Sequence, residues 1–267
     1  MFAKSQVVLA GAGPGDESLV TLKLVECLKQ ADIILADRLV NKRIIELYAN
    51  PNAEIIQVGK EGHVTISTAQ EEINELILKY ANRGLKVLRL KGGDVAIYSN
   101  VADEIKTLQF NNINFEIIPG ITAASGIAAS LKIPLTARNI APGVQIHSLS
   151  AQEQVSDDQY RVWALTNDTL VFYMSTIELN NLARNLIRFG SKDKPVAIVE
   201  QGTTPFQVNT ICKLSAISEI TKEKTFHSPT LIIVGDILLL SAVEKSTLNA
   251  PAFFSTLNIQ NKKLHAL

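Results

Sequence analysis

Four short turns rich in glycine and other small residues each follow an apolar run that predicts a strand. The turns are Gly11–Asp16, Lys91–Asp94, Pro119–Gly126 and Glu200–Pro205. Glycine lets a backbone turn sharply and approach a ligand closely, and open α/β sheets bind ligands at the carboxyl ends of their strands. We therefore expect the four turns to line one cleft that holds a small molecule largely through backbone groups.

The first turn has glycines like those of a dinucleotide-binding loop, but their spacing differs. In G-x-G-x-x-G the third glycine would fall at position 16, where this chain has Asp16. An aspartate there would repel a pyrophosphate, and its side chain is better suited to cap a helix. A nucleotide-binding oxidoreductase is therefore the disfavoured alternative. In the second turn, Asp94 is a candidate either for a loop cap or for binding a cationic amino group or ribose hydroxyls.

Few other residues are arranged for catalysis or metal binding. The sequence has no G-x-S-x-G nucleophile element. Its histidines have no spacing typical of metal ligands, so no metal is expected. Its two cysteines form no C-x-x-C pair, which predicts reduced thiols in a cytoplasmic protein. These residues are His63, His147, His227, His265, Cys27 and Cys212.

Charge and hydropathy argue against several classes of partner. The 26 acidic and 26 basic residues balance, so no overall field favours nucleic acid or a membrane surface. The apolar run Val7–Ala10 is too short for a signal-peptide core or a membrane span. The sequence thus predicts a cytoplasmic protein that acts on a small molecule. A polyanionic substrate is still compatible with the balanced charge, because a few local basic groups would suffice to bind it.

Short apolar runs alternate with amphipathic stretches through the first half, a pattern typical of a parallel sheet covered by helices on both faces. The predicted strands are Val7–Ala10, Ile33–Ala36, Glu54–Val58, Val87–Leu90, Phe115–Ile118, Val144–Leu149, Thr169–Tyr173, Val196–Val199, Val208–Leu214 and Leu231–Val234. The predicted helices are Leu19–Gln30, Asn41–Tyr48, Thr68–Asn82, Val101–Phe110, Ala123–Leu131, Ile177–Phe189 and Leu214–Thr221.

Two α/β domains are expected, the first with a mainly parallel sheet and the second with a mixed sheet. The segment from Pro134 to Pro142 breaks the alternation and predicts a linker. We place the N-terminal domain at residues 1–136, the C-terminal domain at residues 137–245 and an appended tail at residues 246–267.

Ten motifs, taken in order from about Val7 to Val234, resemble those of the tetrapyrrole (corrin/porphyrin) methyltransferase family. They are G-A-G-P-G-D at 11–16, A-D-x-x-L-A-D-R-L-V at 31–40, V-G-K at 58–60, Q-E-E-I-N at 70–74, R-L-K-G-G-D at 89–94, P-G-I-T-A-A-S-G at 119–126, I-P-L-T at 133–136, T-L-V-F-Y-M at 169–174, E-x-G-T-T-P at 200–205 and S-P-x-L-I-I-V-G at 228–235. Each motif is modest alone, but the ordered set is specific.

The resemblance implies a homodimer in which each chain binds S-adenosylmethionine in the cleft between its two domains, without a metal, and releases S-adenosylhomocysteine. Residues that would contact this cofactor follow from the matching positions of the family's motifs. They are Pro14, Gly92, Gly93, Asp94, Ile97, Thr122, Ala123, Met174, Gly202 and Thr230.

The resemblance also implies C-methylation of uroporphyrinogen III to precorrin-2, on the route to sirohaem or cobalamin. Asp37 would be the proton acceptor and Lys60 the proton donor. Arg38, Lys91 and Arg138 would bind the carboxylates of the substrate. Guanidinium groups suit this task, because they can bind a carboxylate through two hydrogen bonds at once.

Three segments depart from the family's usual sequence, namely residues 61–69, 95–104 and 137–139. The resemblance places all three on the substrate side of the cleft. Two alternatives therefore stay open beside the leading one: a related methyltransferase that acts on another corrin substrate, and a binding module that retains the cofactor without catalysis.

Overall fold

Strands and helices alternate through the first half of the chain, as the sequence predicts. The computed structural model describes residues 6–59, 70–149 and 154–241, so Lys60 and the predicted tail at 246–267 lie outside the described residues. The strands of this half are β1 (Val7–Gly11), β2 (Ile33–Asp37), β3 (Glu54–Val58), β4 (Val87–Lys91) and β5 (Phe115–Ile118). The helices are α1 (Leu22–Gln30), α2 (Lys42–Tyr48), α3 (Gln70–Ala81), α4 (Val101–Phe110) and α5 (Ala123–Ser130).

The first sheet is entirely parallel, with the strand order β3-β2-β4-β1-β5. Its interior strands β1 and β4 are fully buried on both faces, which is typical of strands that helices cover on both sides. Helices α1 and α2 pack on one face and α3 and α4 on the other. Because all five strands run in the same direction, the turns that follow β1, β4 and β5 begin at one edge of the sheet.

The second half forms a mixed sheet with the strand order β6-β7-β10-β8-β9. Its strands are β6 (Val144–Ser148), β7 (Thr169–Tyr173), β8 (Pro195–Glu200), β9 (Val208–Lys213) and β10 (Thr230–Val234). Strand β6 is parallel to β7, whereas β10 is antiparallel to both β7 and β8. The helices are α6 (Asp157–Leu165), α7 (Leu179–Phe189) and α8 (Ile217–Glu223). The two α/β domains and their sheet types agree with the sequence prediction.

Helix α5 joins the two domains through packing. It follows the last strand of the first sheet, yet its apolar residues Ala124, Ile127 and Ala128 belong to a buried cluster with Val171 and Val199 of the second sheet. The region between the sheets is therefore a packed core as well as a chain connection. The domain division at residue 136 stays a prediction.

Two helices differ from the sequence prediction. The stretch predicted as one helix from Leu19 is a 3₁₀ turn over Glu17–Leu19 followed by α1, because Thr21 caps α1 by accepting a hydrogen bond from the Leu24 N–H. Helix α6 was not predicted at all. In the part of the chain that the structure describes, we find no helix of the length and apolarity needed to cross a bilayer.

Candidate active site

A cavity of about 190 Å³ lies between the two domains, and turns from both of them line it. All ten residues predicted to contact the cofactor line this cavity. They are Pro14, Gly92, Gly93, Asp94, Ile97, Thr122, Ala123, Met174, Gly202 and Thr230. The structure thus brings the four glycine-rich turns together at one place, and the role of each residue in binding stays a prediction.

The backbones of three turns meet at the cavity. Glycines at positions 11, 93 and 120 allow this close approach. A Cβ on Gly11 would lie 2.5 Å from the Gly93 carbonyl oxygen, and a Cβ on Gly120 would lie 2.2 Å from the same atom. Gly13 and Gly93 exchange two backbone hydrogen bonds of 3.1 and 2.8 Å across this junction. Any side chain at Gly11 or Gly120 would force the turns apart.

The two acidic residues of the turns serve as caps. Asp16 accepts hydrogen bonds from the N–H and hydroxyl of Ser18, which confirms its predicted capping role. The Asp94 carboxylate accepts from the Ala96 N–H through one oxygen and from the Gly120 N–H through the other, both at 2.8 Å. Asp94 therefore ties the second turn to the third while it lines the cavity.

Two tyrosines that the sequence did not single out connect the domains at the cavity. The Tyr173 hydroxyl accepts a hydrogen bond of 2.9 Å from the Ala124 N–H and shares one of 2.7 Å with the Thr122 hydroxyl. Burial raises the pKa of Tyr173, so the phenol stays protonated at neutral pH. Tyr98 donates to the Ile146 carbonyl at 2.9 Å, and the two tyrosine rings lie 5.5 Å apart. The one sequence signal for these tyrosines is that Tyr98 follows Ile97 and Tyr173 precedes Met174, both of which were predicted to contact the cofactor.

We expect the Tyr173→Phe variant to bind S-adenosylhomocysteine at least about fivefold more weakly, because two hydrogen bonds that hold the start of α5 are lost and each contributes about 0.5–1.5 kcal/mol. Isothermal titration calorimetry measures the change. The matched control is Tyr80→Phe, which removes the hydrogen bond from Tyr80 to Glu54 on a helix that does not line the cavity. Equal affinities for both variants would contradict a positioning role for the Tyr173 hydroxyl.

Four charged side chains form a compact cluster at the carboxyl end of β2 and β4. Arg89 donates to Asp37 at 2.5 Å and to Glu104 at 2.9 Å. Lys91 donates to the same Glu104 oxygen at 2.7 Å. Arg89, Lys91 and Glu104 are at most 2% exposed, whereas the Asp37 side chain is 27% exposed. Asp37 is thus the member of the cluster that solvent or a ligand can reach.

The predicted substrate contacts are placed differently from one another. Lys91 was predicted to bind the substrate, but its ammonium group is buried against Glu104 and does not reach the cavity surface. Burial, followed by the nearby Arg89, lowers the pKa of Lys91, and Glu104 opposes this change. Arg38 is half-buried directly after β2, and Arg138 is exposed. Neither arginine lines the cavity, and their roles stay predictions.

The cavity offers backbone groups, apolar surface and the Asp94 carboxylate, and the partly exposed Asp37 carboxylate lies at the end of β2, outside the lining. Apolar side chains of Leu39, Ile97, Ile127 and Met174 form much of the lining. Across residues 6–59, 70–149 and 154–241, no three histidine, cysteine or acidic side chains lie close enough together to hold a metal ion. Such a cavity can hold an uncharged or cationic organic ligand, with an accessible carboxylate on the neighbouring strand.

Comparisons with known proteins agree with this geometry. A siroheme synthase of Acinetobacter baylyi is 42% identical over 238 residues, which are 89% of this chain and 52% of that protein. An S-adenosyl-L-methionine-dependent uroporphyrinogen III methyltransferase of Arabidopsis thaliana, a chloroplastic protein, is 42% identical over 88% of this chain and 64% of its own. The chain thus spans about half the length of the siroheme synthases that it matches.

A solved structure gives the same match in three dimensions. The uroporphyrin-III C-methyl transferase of Thermus thermophilus, crystallised with S-adenosylhomocysteine, superposes with a TM-score of 0.73 at 32% identity, over 88% of this chain and 93% of that one. The profile of the family described as Tetrapyrrole (Corrin/Porphyrin) Methylases matches residues 6–218. With a cavity between two α/β domains and a match over most of its length, this chain belongs to the tetrapyrrole (corrin/porphyrin) methylases.

Proposed function

We propose that this chain transfers methyl groups from S-adenosylmethionine to ring carbons of uroporphyrinogen III and so makes precorrin-2, for sirohaem or cobalamin synthesis. The observation that carries the proposal is the cavity between the domains, which all ten expected cofactor contacts line. The matches to a uroporphyrinogen III methyltransferase and to siroheme synthases support the choice of substrate.

The residues around the cavity fit S-adenosylmethionine. A Cβ on Gly93 would have no neighbour closer than the Ala123 nitrogen at 4.0 Å, so the bare backbone faces open space where a ligand can approach it. The apolar lining suits the adenine ring and the methylene groups of the cofactor. The Asp94 carboxylate adds the negative charge that favours a sulfonium cation nearby.

The cofactor, when bound, supplies an electrophilic methyl group on its sulfonium sulfur. The nucleophile is an electron-rich pyrrole carbon of the substrate, so the protein needs no nucleophile of its own. The turns hold donor and acceptor in line, which contributes up to roughly 7–11 kcal/mol in well-aligned cases. A proton must leave the methylated ring, and Asp37 takes it as general base. Lys60 is the proposed proton donor.

Local basic groups hold the substrate, which carries many carboxylates. Arg38 follows Asp37 directly and is half-buried, so it is placed to bind a carboxylate near the reacting carbon. Arg138 is exposed and is proposed to contact the periphery of the ring. We also propose that the protein works in the cytoplasm as a homodimer, and sedimentation velocity tests the dimer directly.

We expect radioactive label to pass from methyl-labelled S-adenosylmethionine to uroporphyrinogen III when both are incubated anaerobically with the purified protein. Liquid chromatography with mass spectrometry identifies the methylated product. Binding of S-adenosylhomocysteine without transfer to this substrate would favour another corrin substrate or a binding module. Binding of a nicotinamide cofactor in place of S-adenosylhomocysteine would favour the oxidoreductase.

A further inference from the structure

Arg89 lies in the middle of an apolar strand and is only 2% exposed, yet the charge of its side chain is fully compensated. Its guanidinium group donates to both Asp37 and Glu104. It also donates to the backbone carbonyls of Leu35 and Leu90, each at 3.2 Å. Four of its five N–H groups therefore have partners, which fixes the plane and the position of the guanidinium group.

Within residues 6–59, 70–149 and 154–241, the Asp37 carboxylate is held through one of its two oxygens. Its Oδ1 accepts from Arg89 Nη2 at 2.5 Å. Among the described residues we find no hydrogen bond to Oδ2. Strand β4 carries Arg89 and continues directly into Gly92 and Gly93, which line the cavity. One strand thus sets both the position of the carboxylate and the position of the cofactor turn.

We propose that Arg89 is a positioning residue for the reaction: it holds Oδ1 of Asp37 so that Oδ2 faces the substrate and accepts the proton that the methylated ring loses. This inference rests on the proposed function, because it assigns Arg89 a role only through the general base Asp37. The atoms balance as follows: the methylated pyrrole carbon carries no hydrogen, so the bond to hydrogen at a neighbouring meso carbon or ring nitrogen breaks. Its electron pair neutralises the cationic ring, and the proton bonds to Oδ2.

Glu104 makes the arrangement possible inside the protein. A buried guanidinium group without a counter-ion would be strongly unfavourable. Glu104 is fully buried, and its Oε1 accepts from both Arg89 and Lys91. Its Oε2 has no hydrogen-bond partner among the described residues. Lys91 therefore stays paired with Glu104 when Arg89 is replaced, so the buried Glu104 carboxylate keeps a counter-ion.

A merely structural role for Arg89 makes a different prediction from a positioning role. If Arg89 only stabilised the fold, its loss would lower activity in proportion to folded protein, whether or not Asp37 is present. If Arg89 acts through Asp37, its replacement lowers kcat only in a protein that still has the Asp37 carboxylate. A catalytic double-mutant cycle separates the two roles, because residues that act as one unit are not additive.

The experiment compares kcat for the chain with Arg89→Gln, Arg89→Lys, Asp37→Asn and Arg89→Gln combined with Asp37→Asn. We expect Arg89→Gln to lower kcat by about 10²-fold, the cost of a misplaced catalytic group. Affinity for S-adenosylhomocysteine should stay within about twofold, because Arg89 does not line the cavity. Arg89→Lys should recover part of the loss, because lysine keeps the positive charge but has a single ammonium group in place of the planar guanidinium group with its several donors.

In the Asp37→Asn background, adding Arg89→Gln should lower kcat by less than about threefold. Lys23→Met serves as control, because it breaks an ion pair with Glu116 elsewhere in the same domain and should leave kcat unchanged. Should Arg89→Gln fail to fold, the cycle is run with Arg89→Lys. Additive losses in the cycle, or an Arg89→Gln variant with the kcat of the unaltered chain, would overturn the inference. If the unaltered chain transferred no methyl group to uroporphyrinogen III, the proposed function itself would be contradicted.

Discussion

Replacing Asp37 with asparagine is expected to lower kcat by about 10²–10⁴-fold, the usual contribution of a general base. Asparagine has almost the same shape and keeps a carbonyl oxygen that can accept from Arg89, which donates to Asp37 at 2.5 Å. The variant therefore loses the ability to take a proton and little else. Affinity for S-adenosylhomocysteine should be unchanged, because Asp37 does not line the cavity between the domains. Steady-state transfer of labelled methyl groups measures the loss.

The matched control for this experiment is Asp32→Asn. Asp32 precedes the same strand at its opposite end and accepts a hydrogen bond of 2.9 Å from the Lys86 N–H. Its replacement changes the same chemical group on the same strand, far from the cavity, and should leave kcat as it is. If both variants kept full activity, Asp37 would not be the base, and the proton would have to leave through another group or through water.

The cavity between the domains could be predicted from the sequence, because the turns that line it are indicated by local patterns. Each predicted turn follows an apolar run, and the runs are strands in the structure. Parallel strands place their carboxyl ends at one edge, so the convergence of Gly13, Gly93 and Gly120 follows from alternation alone. The strand order could not be predicted, because neighbouring strands are set by packing between segments far apart in the chain.

The charged cluster of Asp37, Arg89, Lys91 and Glu104 could not be predicted from the sequence in the same way. Arg89 lies in the run V-L-R-L-K, where a basic residue between apolar ones gives no sign of burial. Its counter-ion Glu104 comes from a helix 15 residues later, and only the folded chain brings the two together. The same cause explains why the pairing of Lys91 with Glu104, which buries its ammonium group, was not predicted.

Helix α6 escaped prediction because its apolar signal is sparse. Only Tyr160, Trp163 and Ala164 are buried in its nine residues, and two acidic residues open its first turn. Its start depends on Ser156, which caps the helix by accepting from the Gln159 N–H. A short helix with three buried side chains, which pack against the sheet and α7, has too little periodicity to identify by pattern.

Replacing Gly120 with alanine should destabilise the protein by about 1–3 kcal/mol and weaken S-adenosylhomocysteine binding at least about tenfold. The new Cβ would lie 2.2 Å from the Gly93 carbonyl oxygen and 2.8 Å from the Gly11 carbonyl carbon. Both neighbours are backbone atoms, so no side chain can move aside. The turns after β1, β4 and β5 must separate, and all three line the cavity between the domains. Thermal unfolding and calorimetric titration measure the two effects.

Gly84→Ala is the control that separates a steric clash from backbone strain. Gly84 has a φ of +78°, but a Cβ there would meet no atom within 4 Å. Its replacement should lower stability by about 1–2 kcal/mol through the left-handed backbone alone and leave cofactor affinity unchanged. A Gly120→Ala variant that bound S-adenosylhomocysteine as tightly as the Gly84→Ala variant would show that the junction of the three turns does not shape the cofactor site. The assignment of the cavity to the cofactor would then lose its main geometric support.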